Sequence, residues 1–283
     1  MKRYFIKTIF PLLFVSLLFS RCDVATKKST KNEIQFDSIC VERIYYMFDS
    51  FDNPNCNIQI KFVYPSDYKQ DDFKAVQQRF VENFFGEKYK DMSPLDAANG
   101  YVDDYVLSYK ELEEYYETEM KHNEGRPNAS WYSFYESSTN EVVYNCNDLL
   151  GNAVFIENYT GGAHGSHSIQ YYLIDLKTGN IINERDIFVE NYQDTLAAVL
   201  IKNIAKQNGL DDIKELEDIG FFSIEEIYPN DNFMIDDTGI TYLYNEYEIA
   251  AYVVGATTVH IPFEEIMHLI RRDGAIAHIV YFD

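Results

Sequence analysis

This 283-residue chain is poor in glycine (13), proline (7), cysteine (4) and tryptophan (Trp131 alone), and its 24 Lys and Arg face 46 Asp and Glu. Each shortage removes a class of function. The cysteines show neither a CxxC nor a zinc-ribbon spacing, which argues against a cysteine-held metal or a dithiol redox centre. There is no HExxH helix motif and no Gly-x-Ser-x-Gly elbow, so the usual frames for a zinc peptidase or a serine hydrolase are missing. A formal charge of -22 repels nucleic acid and anionic lipid surfaces and steers cationic partners toward the chain; it also serves solubility. Beyond residues 9–19, no apolar run is long enough to span a bilayer.

That one run has a meaning. Lys2, Arg3 and Lys7 precede it, and its length suits a signal-peptide core rather than a permanent membrane helix. Leu18-Phe19-Ser20-Arg21-Cys22 resembles a bacterial lipobox, with Arg21 where glycine, alanine or serine is usual. The resemblance implies lipidation of Cys22, a membrane-anchored mature chain in the bacterial envelope, and a tether over 22–36. Without the basic residues at 2, 3, 7 and 21, the mature charge falls from -22 to -26. In an oxidising envelope two of Cys40, Cys56 and Cys146 can pair; Cys40 with Cys56 is the favoured pair, leaving one thiol over.

Aromatic residues make up 16% of the chain, enough for a large core. Periodicity predicts an α+β order of mostly antiparallel mixed sheets packed with a few helices, in two small, intimately packed subdomains, 37–180 and 181–283. Strands are predicted over 38–48 and 57–64, the second stopped by Pro65, followed by an amphipathic helix over 71–85 that ends at Gly86. Ser93-Pro94 opens a helical stretch over 95–122, broken at 125–128. Strands then follow over 130–137, 141–146, 152–159 and 168–175, with a hairpin turn at 175–180. A helix over 192–207 capped by Gly209, a short helix within 211–218 and a hairpin around Asp237-Thr238-Gly239 come next. Last are a strand over 257–261, a helix begun at Pro262 and a terminal strand over 275–282.

Because glycine is scarce, three glycines in five residues stand out. Tyr159-Thr160-Gly161-Gly162-Ala163-His164-Gly165-Ser166-His167 interrupts a tyrosine-rich β pattern, and Asp175-Leu176-Lys177-Thr178-Gly179 follows it. Glycine there signals positive φ or close approach. With Asp186-Ile187-Phe188, with 233–244, with Asn245-Glu246-Tyr247-Glu248-Ile249-Ala250-Ala251-Tyr252-Val253-Val254-Gly255, and with Val259-His260-Ile261-Pro262-Phe263, this segment resembles the RsiV/PdaC-type extracytoplasmic module. That module is a pair of domains of unknown function, numbered 4163 and 3298, standing here without a transmembrane, sigma-binding or deacetylase part. Ala251 sits where the family run carries proline. The resemblance covers roughly 58–266 and implies a compact α+β module outside the membrane that, in RsiV, binds lysozyme.

The candidate site residues are Tyr159, Gly161, Gly162, His164, Tyr247 and Tyr252. Tyrosine joins a large ring to a polar tip at small entropic cost, which suits an interface. His164 and His167 supply at most two metal ligands, too few for a zinc site, and no cofactor is expected. His164 is expected to hydrogen-bond backbone across the glycine loop. The adjacent acidic pairs 103/104, 211/212, 225/226 and 236/237 diverge on any regular element and read as solvated surface rather than a glycosidase pair. The expected function is an envelope-anchored, non-catalytic binding module for a lysozyme-like basic protein or a peptidoglycan fragment. The alternatives are a hydrolase of cell-wall saccharide or ester built on His164, and a structural accessory lipoprotein.

Overall fold

The computed structural model describes residues 29–68, 73–122 and 129–281. Lipidation at Cys22, the signal segment and the break at 125–128 lie outside the described residues. Strands β1 (Ile34–Tyr46), β2 (Asn55–Tyr68), β3 (Phe134–Cys146), β4 (Leu149–Tyr159), β5 (Ser166–Asp175) and β6 (Asn180–Ile181) form one sheet in chain order. Every neighbouring pair is antiparallel except β2 with β3. A second, antiparallel sheet holds β7 (Phe233–Ile235), β8 (Gly239–Tyr244) and β9 (Thr257–Pro262). The fold is α+β.

Helices α1 (Phe73–Phe85) and α2 (Pro94–Lys110) cover one face of the large sheet. The periodic Val76, Phe80, Val81 and Phe84 of α1 meet Ile58, Ile60 and Phe62, which alternate along β2, as period 3.6 against period 2 requires. Ser93 caps α2, accepting from the Asp96 N–H at 3.2 Å, with Pro94 at the first turn. Helix α3 (Glu113–His122) follows, then α4 (Glu184–Ile187), α5 (Gln193–Gln207) and α6 (Glu215–Asp218); α7 (Phe263–Ile266) and α8 (Ala277–Val280) come after β9. A second core gathers Leu196, Leu200 and Ile204 of α5 with Phe233, Tyr242, Tyr244 and Ile261, and takes Tyr144, Leu149 and Leu173 from the large sheet.

Several expectations are corrected. Pro65 does not end β2: the register shifts between Gln35 and Phe36, and proline is tolerated at such an irregularity. The strands expected at 130–137 and 141–146 are one strand. The polar run at 138–140 looks like a turn in sequence, but its Ser138 and Asn140 side chains are buried and bonded. Ser138 Oγ donates to Glu136 Oε1 at 2.8 Å, and the Asn140 amide pairs with both backbone groups of Val63 at 2.7 and 2.8 Å. The stretch 95–122 breaks near residue 111 into α2 and α3, and the expected terminal strand is the helical turn α8. The Cys40–Cys56 pairing fails on register. Cys56 lies opposite Tyr45 and Cys40 opposite Lys61, about 16 Å apart along the ladder at ~3.3 Å per residue, too far for a disulfide. All three described cysteines are free.

Candidate functional site

The pairings put the end of β1, the starts of β2 and β3, the end of β4 and the start of β5 at one end of the large sheet. The glycine loop joins β4 to β5 there. Gly161 and Gly162 have φ of 89° and 103°, which only glycine adopts readily. Gly161 also has no room for a side chain: a Cβ would lie 2.8 Å from the Trp131 carbonyl oxygen. Tyr159 closes the loop, its hydroxyl donating to the Gly162 carbonyl at 2.9 Å.

Two asparagines bring the 245–254 segment beside this loop. Asn245 accepts from the Ile169 N–H at 2.8 Å and donates to the Ile169 carbonyl at 3.1 Å; Asn232 accepts from the Tyr171 N–H at 2.9 Å and donates to the Ile169 carbonyl at 2.9 Å. The two amides thus pair with the free edge of β5 as a neighbouring strand would. Glu248 then accepts from the Asn245 N–H at 2.8 Å, and Tyr247 turns through a positive φ of 65°.

The outcome is a stack of three rings. His164 lies on Tyr252 with centroids 4.4 Å apart and planes 24° from parallel; Tyr247 lies 5.5 Å from Tyr252 and 6.2 Å from His164 at similar tilts. His164 Nδ1 sits 2.7 Å from the Gly165 carbonyl oxygen, which can only accept, so Nδ1 carries the proton. In the neutral ring Nε2 then accepts from the Tyr247 hydroxyl at a long 3.4 Å. His164 therefore bonds its own neighbour, not backbone across the loop. Tyr247 is 55% exposed and Val253 90%.

A second pair of rings borders the stack. Tyr135 and Tyr159 are register partners on β3 and β4 with planes 22° apart, and Tyr135 donates to Glu157 Oε1 at 3.1 Å. That carboxylate, with some desolvation, raises the Tyr135 phenol above its ordinary value. His167 stands between two carboxylates, 3.8 Å from Glu157 and 3.6 Å from Glu246. Ser166 Oγ donates to Asn158 Oδ1 at 2.8 Å rather than facing a base. Among the described residues no group of three or more His, Cys, Asp or Glu is placed to hold a metal ion.

All six sequence-predicted residues thus gather at one end of the sheet. Trp131, Tyr135, Glu157 and Glu246 join them unforeseen. Tyr135 was readable in principle, because pairing β3 with β4 sets it opposite Tyr159, but the misplaced break at 138–140 hid that register. The acidic pair 103/104 does diverge: Asp103 holds Arg43 while Asp104 holds Lys88 and the Tyr89 hydroxyl.

Residues 185–264 match the family described as "Protein of unknown function (DUF3298)". A DUF3298-family crystal structure from Bacteroides fragilis is similar over 88% of this chain and 98% of its own, with TM-score 0.83 and 29% identity. Another, from Pseudomonas aeruginosa, shares the fold over 84% and 96% of the two chains, with TM-score 0.56 and 13% identity. None of the curated proteins compared matches the chain. The matched segment contains Glu246, Tyr247 and Tyr252, whereas the glycine loop lies before it.

Proposed function

We propose that this chain is a non-catalytic binding module, held by lipid at Cys22 in a bacterial cell envelope and facing the periplasm or the cell exterior, whose site takes a cationic protein surface of the lysozyme kind. The observation that carries this reading is the exposed His164–Tyr252–Tyr247 stack beside Glu157 and Glu246. Guanidinium and ammonium groups lie favourably on tyrosine faces, each contact contributing roughly 0.5–1 kcal/mol at an exposed site, and adjacent carboxylates add direction. The mature charge, -22 less the four basic residues at 2, 3, 7 and 21, extends the attraction over about a Debye length. The resemblance to the RsiV/PdaC-type module supports the same partner class. Ser166, the serine of the glycine loop, donates to Asn158 rather than to a base, which favours binding over hydrolysis.

Titration calorimetry of the full chain with lysozyme at graded salt tests the proposal. Micromolar or tighter binding is expected at low salt, falling as salt rises. Tyr252→Ala, which removes the ring that packs against both His164 and Tyr247, is expected to weaken it about tenfold, the scale of an interface anchor. Absence of binding at low salt, or binding indifferent to Tyr252→Ala, overturns it. If a soluble peptidoglycan fragment binds and lysozyme does not, the ring stack is a saccharide platform instead.

A further inference from the structure

The outer edge of β1 has no neighbour among the described residues, since β1 ends the strand order. It is a long edge of 13 residues. The Met47 N–H donates to the Pro54 carbonyl at 2.9 Å, and the register continues unbroken from there to Phe36. Alternation in an antiparallel ladder then directs the backbone groups of odd residues toward β2 and those of even residues 36–46 outward. Ser38, Cys40, Glu42 and Ile44 on this edge are all exposed. One outward N–H, that of Ser38, is satisfied by the Asp37 carboxylate at 2.7 Å. Ile34–Tyr46 contains neither lysine nor proline, two of the residues that guard sheet edges, and its register irregularity lies at the far end, between Gln35 and Phe36.

The sequence of this edge is complementary to itself. Read antiparallel about Cys40, a second β1 sets Asp37 opposite Arg43 and, by symmetry, Arg43 opposite Asp37. Ile39 faces Val41, Phe36 faces Ile44, Ser38 faces Glu42, and Cys40 faces Cys40. Moving the axis one residue either way sets Arg43 against Gln35 or Ile39, and Asp37 against Val41 or Tyr45. Only the Cys40 axis among these three matches both charges. All three axes set outward-directed residues against outward-directed residues, so even pairs can exchange two backbone hydrogen bonds, the Ser38 N–H leaving Asp37 to do so; the charges are what select the Cys40 axis. Arg43 already holds Asp103 of α2, and the opposing Asp37 adds a second carboxylate to that guanidinium.

We propose that two copies of this chain pair through β1 about a two-fold axis at Cys40, joining their six-stranded sheets into one. The glycine-loop sites then point to opposite ends of the dimer, so the pairing leaves both free; it does not depend on the binding reading above.

Sedimentation of the full chain tests the proposal, with twice the mass of one chain expected at micromolar concentration. Arg43→Asp and Asp37→Arg each turn two facing attractions into repulsions and are expected to weaken dimerisation roughly tenfold or more. The double exchange Asp37→Arg with Arg43→Asp is expected to restore the dimer even though it loses the Asp103 pair, which separates an interface effect from damage to the protomer. Thermal unfolding of each variant confirms a folded chain. In a chain carrying Cys22→Ser and Cys146→Ser, a short bismaleimide, which adds two thiols without an oxidant, is expected to link Cys40 to Cys40, and Cys40→Ser to abolish the link. A monomer at all concentrations, a double exchange that stays monomeric, or a dimer that does not crosslink through Cys40 each overturns this pairing.

Discussion

Glu184 shows what burial does to one carboxyl group. It is 3% exposed, accepts from the Tyr192 hydroxyl at 2.7 Å and from the Asp231 N–H at 2.9 Å, and lies beside the wholly buried Tyr242. Desolvation outweighs these bonds and raises its pKa above the ordinary 4.5. The folded state thus holds the proton more tightly than the unfolded one, so this group's contribution to stability declines as pH rises from about 4.5 through the folded value. Glu184→Gln is expected to remove that decline. Urea unfolding of both proteins between pH 4 and pH 8 measures it, and an unchanged pH slope in the variant contradicts the account. At the same scale, Gly161→Ala combines a φ of 89° with a Cβ 2.8 Å from the Trp131 carbonyl. Its expected cost is about 1–3 kcal/mol, read as a lower melting midpoint together with weaker lysozyme binding.

At the scale of elements, asparagine side chains substitute for strands. Asn140 extends the parallel β2–β3 pairing to Val63, past its last register pair at Lys61 and Thr139, while Asn232 and Asn245 occupy the free edge of β5. Each amide matches the donor and acceptor of a backbone peptide group. Asn232 is 3% exposed, so Asn232→Ala leaves the Tyr171 N–H without its acceptor. The expected loss is about 2 kcal/mol in chemical denaturation, with Asn232→Asp no better, because a carboxylate cannot donate to Ile169. Gly151 makes a related joint. A Cβ there would sit 2.5 Å from the Met234 sulfur of β7 and 2.9 Å from Tyr144, so Gly151→Ala is expected to cost about 1–3 kcal/mol by overpacking, and Gly151→Ala with Met234→Ala is expected to cost less than the sum of the two single changes.

Over the whole molecule, charge and topology divide the work. The excess of acid acts at long range and sets how fast a cationic partner arrives, so salt should slow association more than it speeds dissociation. Stopped-flow measurement with lysozyme separates the two rates; a salt effect confined to dissociation would contradict the steering. Topology sets where the partner stops. The chain enters the large sheet at the end where Lys31 bridges Cys146, and the ring stack lies at the other, beyond strands of 11 to 14 residues.

Local pattern in the sequence determines much of this. The 3.6 and 2.0 periods marked α1, α5, β5, β8 and β9, the shortage of glycine singled out the 161–165 loop, and composition declared the charge. Those features depend on neighbours in sequence, which a sequence contains. The run at 138–140 does not read as strand, because its Asn140 side chain finds partners 77 and 12 residues away at Val63 and Asn152. Nor could the stack, since Tyr247 reaches His164 across 83 residues. The cysteine pairing failed for the same reason: strand register, not spacing along the chain, decides which thiols meet. Only the tertiary structure sets long-range register, because pairing energy depends on which faces are already buried.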